Sequence, residues 1–135
     1  MEKEIQRDEY EIIQHILKHD KDIIPHVYEL TLEHVIYSEY STDYENSLNK
    51  HKSEYHSSIK NLVSRLHAIG IVHCDLHSSN IVVNDDDVRL IDFGESYFIE
   101  HVDDDVIKNV AKNFGEESIN TLEKLLEFDF EAYKT

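Results

Sequence analysis

Residues 71–94 read IVHCDLHSSNIVVNDDDVRLIDFG, and this stretch limits the fold more than any other. Short strand-like runs at 71–72, 81–83 and 88–91 bracket a polar cluster that includes His73, Cys74, Asp75, His77 and Asn80. Polar side chains set between apolar segments need partners, because an unsatisfied buried polar group costs about 1–3 kcal/mol. The tetrad NDDD at 84–87 is a turn signal between two strand-like runs, so the spacing predicts a β-hairpin. Folded symmetrically about Asp86, that hairpin sets position 80 opposite position 92 and brings Asn80 beside Asp92. An amide oxygen next to a carboxylate is a pair of hard donors suited to magnesium, which fills its other positions with water and substrate phosphate. Asp75 enters the same end from the preceding loop. Not needed as a metal ligand, it is placed to take a proton from a hydroxyl.

The flanking segments predict an α+β domain. Ile5, Ile12, Ile13, Ile16 and Leu17 recur at helical spacing over residues 2–19. Beyond Pro25, the Val-, Ile- and Tyr-rich runs 26–30 and 34–40 predict a strand hairpin across TLE at 31–33. Residues 41–51 are polar and read as a loop or a frayed helix start. Over 53–69, Ile59, Leu62, Val63, Leu66 and Ile69 fall on one helical face, and Gly70 stands where a left-handed cap is expected. Two further helical stripes follow. The first runs from Val102 through Val106, Ile107, Val110 and Ala111 to Phe114 and stops at Gly115; the second joins Ile119, Leu122, Leu125 and Leu126.

HCDLHSSN followed by IDFG resembles the catalytic loop and magnesium motif of the protein-kinase-like superfamily, H-R-D-L-x-x-x-N and D-F-G. The resemblance implies ATP and Mg2+ as cofactors, Asp75 as the catalytic base, and Asn80 and Asp92 as the magnesium ligands. It makes His73, Phe93 and Gly94 structural supports. VIYSEYS looks like the strand that enters a kinase hinge, with Ser38 as gatekeeper and Glu39, Tyr40 and Ser41 offering backbone groups to adenine. Helix 2–19 then takes the place of the αC helix. Glu9 is either its ion-pairing glutamate or one more solvated carboxylate on an acidic helix. The implied fold is one partial kinase-like domain, with residues 1–40 as an N-lobe remnant and residues 41–135 as the helical C-lobe.

Departures from the kinase pattern shape the functional expectation. Cys74 replaces the arginine of H-R-D, His77 stands where serine/threonine kinases commonly carry lysine, and no A-P-E follows. The three glycines are Gly70, Gly94 and Gly115, so no glycine-rich loop precedes the first helix. No V-A-I-K-like strand is legible either, and the chain is expected to begin at αC. That leaves a fragment, a kinase whose missing strands come from another polypeptide, or a reduced and inactive relative. In style the motifs are most similar to the minimal kinase of the KEOPS complex, with the RIO kinases as neighbours. The expected function is ATP-dependent phosphotransfer to a serine or threonine of a protein. The alternatives are a non-catalytic kinase-like binding module and a small-molecule phosphotransferase.

Charge and composition narrow the partners. Thirteen Lys and Arg against 29 Asp and Glu give a net charge of −16, which leaves no basic patch for free nucleic acid or an anionic membrane. A basic protein partner remains compatible. No apolar run approaches the roughly 20 residues of a membrane-spanning helix. The single cysteine, Cys74, permits neither an internal disulfide nor a cysteine-based zinc site, which points to the cytoplasm. Surrounded by acids, that thiol is expected to pack rather than react. A zinc or manganese reading of His73, Asp75 and His77 leaves Asn80 and the D-F-G unexplained. NDDD lacks the glycine and distal glutamate of an EF-hand loop.

Overall fold

The computed structural model describes residues 1–40 and 44–134, with side chains of residues 44–52 set aside. Strand β1 (Glu2–Glu4) precedes helix α1 (Arg7–His19); strands β2 (Val27–Leu30) and β3 (His34–Tyr37) follow. Helix α2 (Tyr44–Ala68) leads to β4 (Ile71–Val72), the hairpin β5 (Ile81–Asn84) and β6 (Asp87–Leu90), and then β7 (Tyr97–Phe98). Helices α3 (Asp104–Phe114) and α4 (Leu122–Asp129) close the order. The strands form three small antiparallel sheets, β1-β3-β2, β4-β7 and β5-β6. The expected α+β class and the β2–β3 hairpin are present.

Several expectations change. Residues 2–4 are not helical: they pair with β3, Glu2 to Ile36, Lys3 to Val35 and Glu4 to His34. A strand therefore does precede α1, and it carries a lysine. Its edge pairing holds the backbone that helix 2–19 was expected to use, so α1 starts only at Arg7, after an extended Gln6. Helix α2 begins at Tyr44, so of the two readings of 41–51, loop or helix start, the helix holds from residue 44, while 41–43 lie outside the described residues; nothing between Tyr44 and Ala68 is glycine or proline to interrupt it. Val102 and Ile119 lie outside α3 and α4, which start behind side-chain caps at Asp103 and Thr121.

The catalytic-loop hairpin differs by one residue of register. Ile81 pairs with Leu90 and Asn84 with Asp87, so the turn is the two residues Asp85 and Asp86. Asp85 adopts a left-handed φ of 54°, which aspartate tolerates better than most side chains. A two-residue turn moves the axis, and Asn80 faces Ile91 rather than Asp92: the Ile91 N–H donates to the Asn80 carbonyl at 3.0 Å. Asp92 lies one step beyond the ladder.

Two apolar clusters hold the loop between them. The larger joins Ile12, Ile13 and Ile16 of α1 to Ile59, Leu62, Val63 and Leu66 of α2, and adds Val35, Tyr37 and the hairpin residues Ile81, Val82 and Leu90. The smaller joins Val72 and Cys74 to Ile107, Val110, Ile119 and Leu125. Ile71 and Leu76 point into the first cluster while Val72 and Cys74 point into the second, which pins residues 71–76 from both sides. Arg65 forks onto the Asp20 carboxylate and fastens α2 to the end of α1.

Gly115 caps α3 at φ 66°, and a Cβ built there meets nothing within 4 Å. Gly115→Ala should therefore cost only the left-handed backbone penalty, about 1 kcal/mol, read as a lower urea midpoint at unchanged m-value.

Candidate active site

Burial and hydrogen bonding concentrate on residues 73–80 and 91–94. His73 is fully buried. Its Nδ1 accepts the Asp75 N–H at 3.2 Å, so Nε2 carries the proton and donates to the Ile91 carbonyl at 2.9 Å. The Phe93 ring packs on this imidazole at 5.0 Å, and Ser96 Oγ donates to the His73 carbonyl at 2.9 Å. His73 thus ties the loop that carries Asp75 to the strand end that carries Asp92. With both ring nitrogens engaged it is not a metal ligand, and among the described residues no group of three His, Cys, Asp or Glu is arranged to hold a metal.

A buried carboxylate clasps the same loop from below. Asp129 of α4, 2% exposed, accepts the His73 N–H at 3.0 Å through Oδ2 and the Cys74 N–H at 3.1 Å through Oδ1. His67 Nε2 of α2 lies 2.7 Å from Oδ2. This grip holds Cys74 at a φ of 68°, a left-handed conformation that costs about 1–2 kcal/mol for a residue with a Cβ. The Cys74 thiol is buried and its pKa is pushed up by that burial and by the surrounding carboxylates, so packing is its role.

Asn80 is buried, and its Nδ2 donates to the Asp75 carbonyl at 2.8 Å and to His77 Nε2 at 3.3 Å. The amide nitrogen is thereby committed to the loop, and Oδ1 is the atom left to face a ligand. The Asp75 carboxylate lies 3.7 Å from His77 Nε2. Burial raises its pKa above the usual carboxylate range, against His77, His73 and Asn80 and with Asp92 adding to the rise. Asp92 is itself left-handed at φ 62°, and its Oδ1 accepts the Gly94 N–H at 3.5 Å.

Glu9 is buried at 7% exposure, and its Oε2 accepts the Phe93 N–H at 3.0 Å. The solvated alternative therefore fails. Burial raises its pKa, and the Lys3 charge is among the influences that lower it. Lys3 pairs across the sheet with Val35, which is fully buried, so it shares the inner face of the sheet. Tyr37, the next inward residue on β3, is buried near Glu9 and Asp92. Ser38 lies on the other side of the strand, so the bulky residue facing the site here is Tyr37, not the expected gatekeeper Ser38. Glu39 and Tyr40 follow β3, and among the described residues their backbone groups make no hydrogen bond. Ser41 lies outside the described residues.

Comparison with known proteins decides the family. The RIO domain profile matches residues 1–124. The chain belongs to the RIO domain family. The RIO domain is a kinase-like domain of the atypical type, so the resemblance read from HCDLHSSN and IDFG holds, as does the kinase-like fold. A probable bifunctional tRNA threonylcarbamoyladenosine biosynthesis protein of Methanothermobacter thermautotrophicus is 42% identical over 52 residues, 38% of this chain and 10% of the relative. A protein of the same description from Methanosarcina acetivorans is 47% identical over 45 residues, 33% of this chain and 8% of the relative. A probable LIM domain-containing serine/threonine-protein kinase of Dictyostelium discoideum is 37% identical over 60 residues, 44% of this chain and 6% of the relative. This RIO chain thus spans a tenth or less of the length of those relatives. Among its described residues, no helix is long and apolar enough to cross a membrane.

Three residues of this RIO site were not legible beforehand. Asp129 and His67 stand 55 and 7 residues from Cys74 in sequence, within helical patterns that explain them as polar-face residues. Lys3 sat inside an apparent helix. An acid ending an apolar helical stripe, as Asp129 ends Leu122–Asp129, is the one signal that marked any of them.

Proposed function

We propose that this chain is an ATP-dependent phosphotransferase that moves the γ-phosphoryl group to a hydroxyl, most simply of a serine or threonine in a protein. The carrying observation is the loop itself: Asp75 and Asn80 are fixed to each other and, through His73, to the strand that delivers Asp92. In this reading Asp75 orients the acceptor hydroxyl and takes its proton at Oδ. Asn80 Oδ1 and the Asp92 carboxylate would hold Mg2+, which, when bound, offsets phosphate charge; two hard oxygens fit that ion. The backbone of Glu39, Tyr40 and Ser41 receives adenine. Lys3 and Glu9 supply the cation and the carboxylate that position the phosphates, and residues 1–40 serve as a reduced N-lobe against a C-lobe of 41–135.

The serine/threonine choice is supported by one relative's description as a serine/threonine-protein kinase. The partner is a protein, consistent with a net charge of −16, and the setting is cytoplasmic. A second reading, a non-catalytic binding module, is favoured by the lack of any glycine before Gly70, so that no glycine-rich loop covers the phosphates within these residues. Small-molecule phosphotransfer is favoured by His77 in place of lysine.

Calorimetry with ATP, with and without magnesium, on wild type and Asp92→Ala tests the reading. The expected result is ATP binding that requires magnesium and falls at least tenfold, roughly the worth of one charged contact, in Asp92→Ala. Equal affinity in all four conditions contradicts it.

A further inference from the structure

The segment that leaves β3 has few backbone ties. The Ser38 N–H donates to the His26 carbonyl at 2.8 Å, and beyond it Glu39 and Tyr40 make no backbone hydrogen bond among the described residues. Side chains hold it instead. The Glu39 carboxylate meets the Met1 ammonium at 3.0 Å, an exposed ion pair of the kind that contributes little. The Tyr40 hydroxyl donates to Asp87 Oδ2 at 2.6 Å, a contact that spans 47 residues and joins this segment to the first residue of β6. The Tyr40 side chain also packs against the larger apolar cluster, so it is fixed at both ends. Burial first, and then the Asp87 carboxylate, push the hydroxyl pKa up to about 12, which keeps it a donor across the neutral range.

Asp87 is a firm post for that bond. It pairs with Asn84 at the turn of the hairpin, and Val88 and Leu90, the alternating residues of β6, are buried in the larger cluster. Asp87 and Arg89 therefore share the opposite face of the strand, where Arg89 Nη1 donates to Asp87 Oδ1 and to the Val88 carbonyl. Each carboxylate oxygen has its own donor, Arg89 on Oδ1 and Tyr40 on Oδ2. Hydrogen bonds to an ionised acceptor are roughly twice as strong as neutral ones. The same hairpin sets the other end of the site: β5 starts at the residue after Asn80, and β6 ends two residues before Asp92. One ribbon thus carries the two groups assigned to magnesium and the anchor of the segment assigned to adenine.

A nucleotide has its base at one end and its phosphates at the other, so both seats contribute fully only when their spacing is fixed beforehand. A loose backbone at one seat gives up part of the gain in being ordered on binding. We propose, on the phosphotransferase reading above, that Tyr40 is a positioning residue whose hydroxyl, held by Asp87, sets the backbone of residues 39–40 against the β5–β6 hairpin for binding of the nucleotide base.

Tyr40→Phe keeps the packed ring and removes the bond. Asp87→Ala removes it from the other side, at a side chain that is 46% exposed, so both variants should stay folded. Calorimetry on the intact chain, with magnesium present throughout, compares adenosine, ADP and inorganic tripolyphosphate. Each variant should bind adenosine and ADP about tenfold more weakly, the worth of one hydrogen bond to a charged group, while tripolyphosphate binds as to wild type. The double variant should lose no more than either single one, because both remove the same bond. Without ligand, NMR relaxation should show the Glu39 and Tyr40 amides more mobile in both variants. Adenosine and ADP affinities equal to wild type, a tripolyphosphate loss as large as the ADP loss, losses that multiply in the double variant, or amides as rigid as in wild type would each overturn this role and leave the phosphotransferase reading standing. A wild-type chain that binds neither adenosine nor ADP would overturn that reading and this role together.

Discussion

Replacing Asp129 by alanine should cost about 3–5 kcal/mol of folding stability, a large share of the 5–15 kcal/mol typical of a domain. The carboxylate is buried and gathers three donors: the His73 and Cys74 amides and the His67 imidazole. Truncation strands both amides away from water, at about 1–3 kcal/mol each, and removes the contact that holds Cys74 in its left-handed conformation. Asp129→Asn keeps the shape and one acceptor oxygen, so it should fall between wild type and alanine. Urea unfolding reads the loss, and amide exchange at His73 and Cys74 locates it. A loss below about 1 kcal/mol with protected amides would mean that Asp129 does not organise the loop.

How much of this was legible depended on range. Strong short-range signals held. The face Ile59–Leu62–Val63–Leu66 is the buried face of α2, Gly70 adopts a positive φ where a cap was expected, and Gly115 does so where the next stripe was expected to stop. The spacing HCDLHSSN…IDFG placed Asp75, Asn80 and Asp92 on adjoining segments because a loop and a hairpin are local structures.

The failures came from pairings that sequence spacing does not encode. Residues 2–4 have a helical pattern, yet β3 offers an open edge and strand pairing overrode the local preference. A tetrad of turn residues cannot say whether two or three of them form the turn, and one residue changed which position faces Asn80. Alternation along β3 decided the site-facing residue: Val35 and Tyr37 are buried, which turns Ser38 to the opposite side of the strand. Asp129 was marked only as an acid ending an apolar stripe, for a related reason. Two of its three partners are backbone amides, which carry no sequence signature, and the third, His67, lies on another helix.

The most direct test of the central claim is a phosphotransfer assay on the intact chain, wild type against Asp75→Asn, over a range of pH. The substitution keeps size and hydrogen-bonding reach and removes only the base. General-base contributions are about 100- to 10,000-fold, or roughly 3–5 kcal/mol of barrier, so transfer should fall by that factor while folding and magnesium–ATP affinity stay near wild type. Burial raises the Asp75 pKa, so wild-type activity should fall as pH drops through a limb above the usual carboxylate range, where the base takes up its proton. That limb should be missing from the residual activity of Asp75→Asn. A wild-type chain that binds magnesium–ATP yet transfers phosphate no faster than Asp75→Asn, at any pH, would contradict the assignment of Asp75 as a catalytic base.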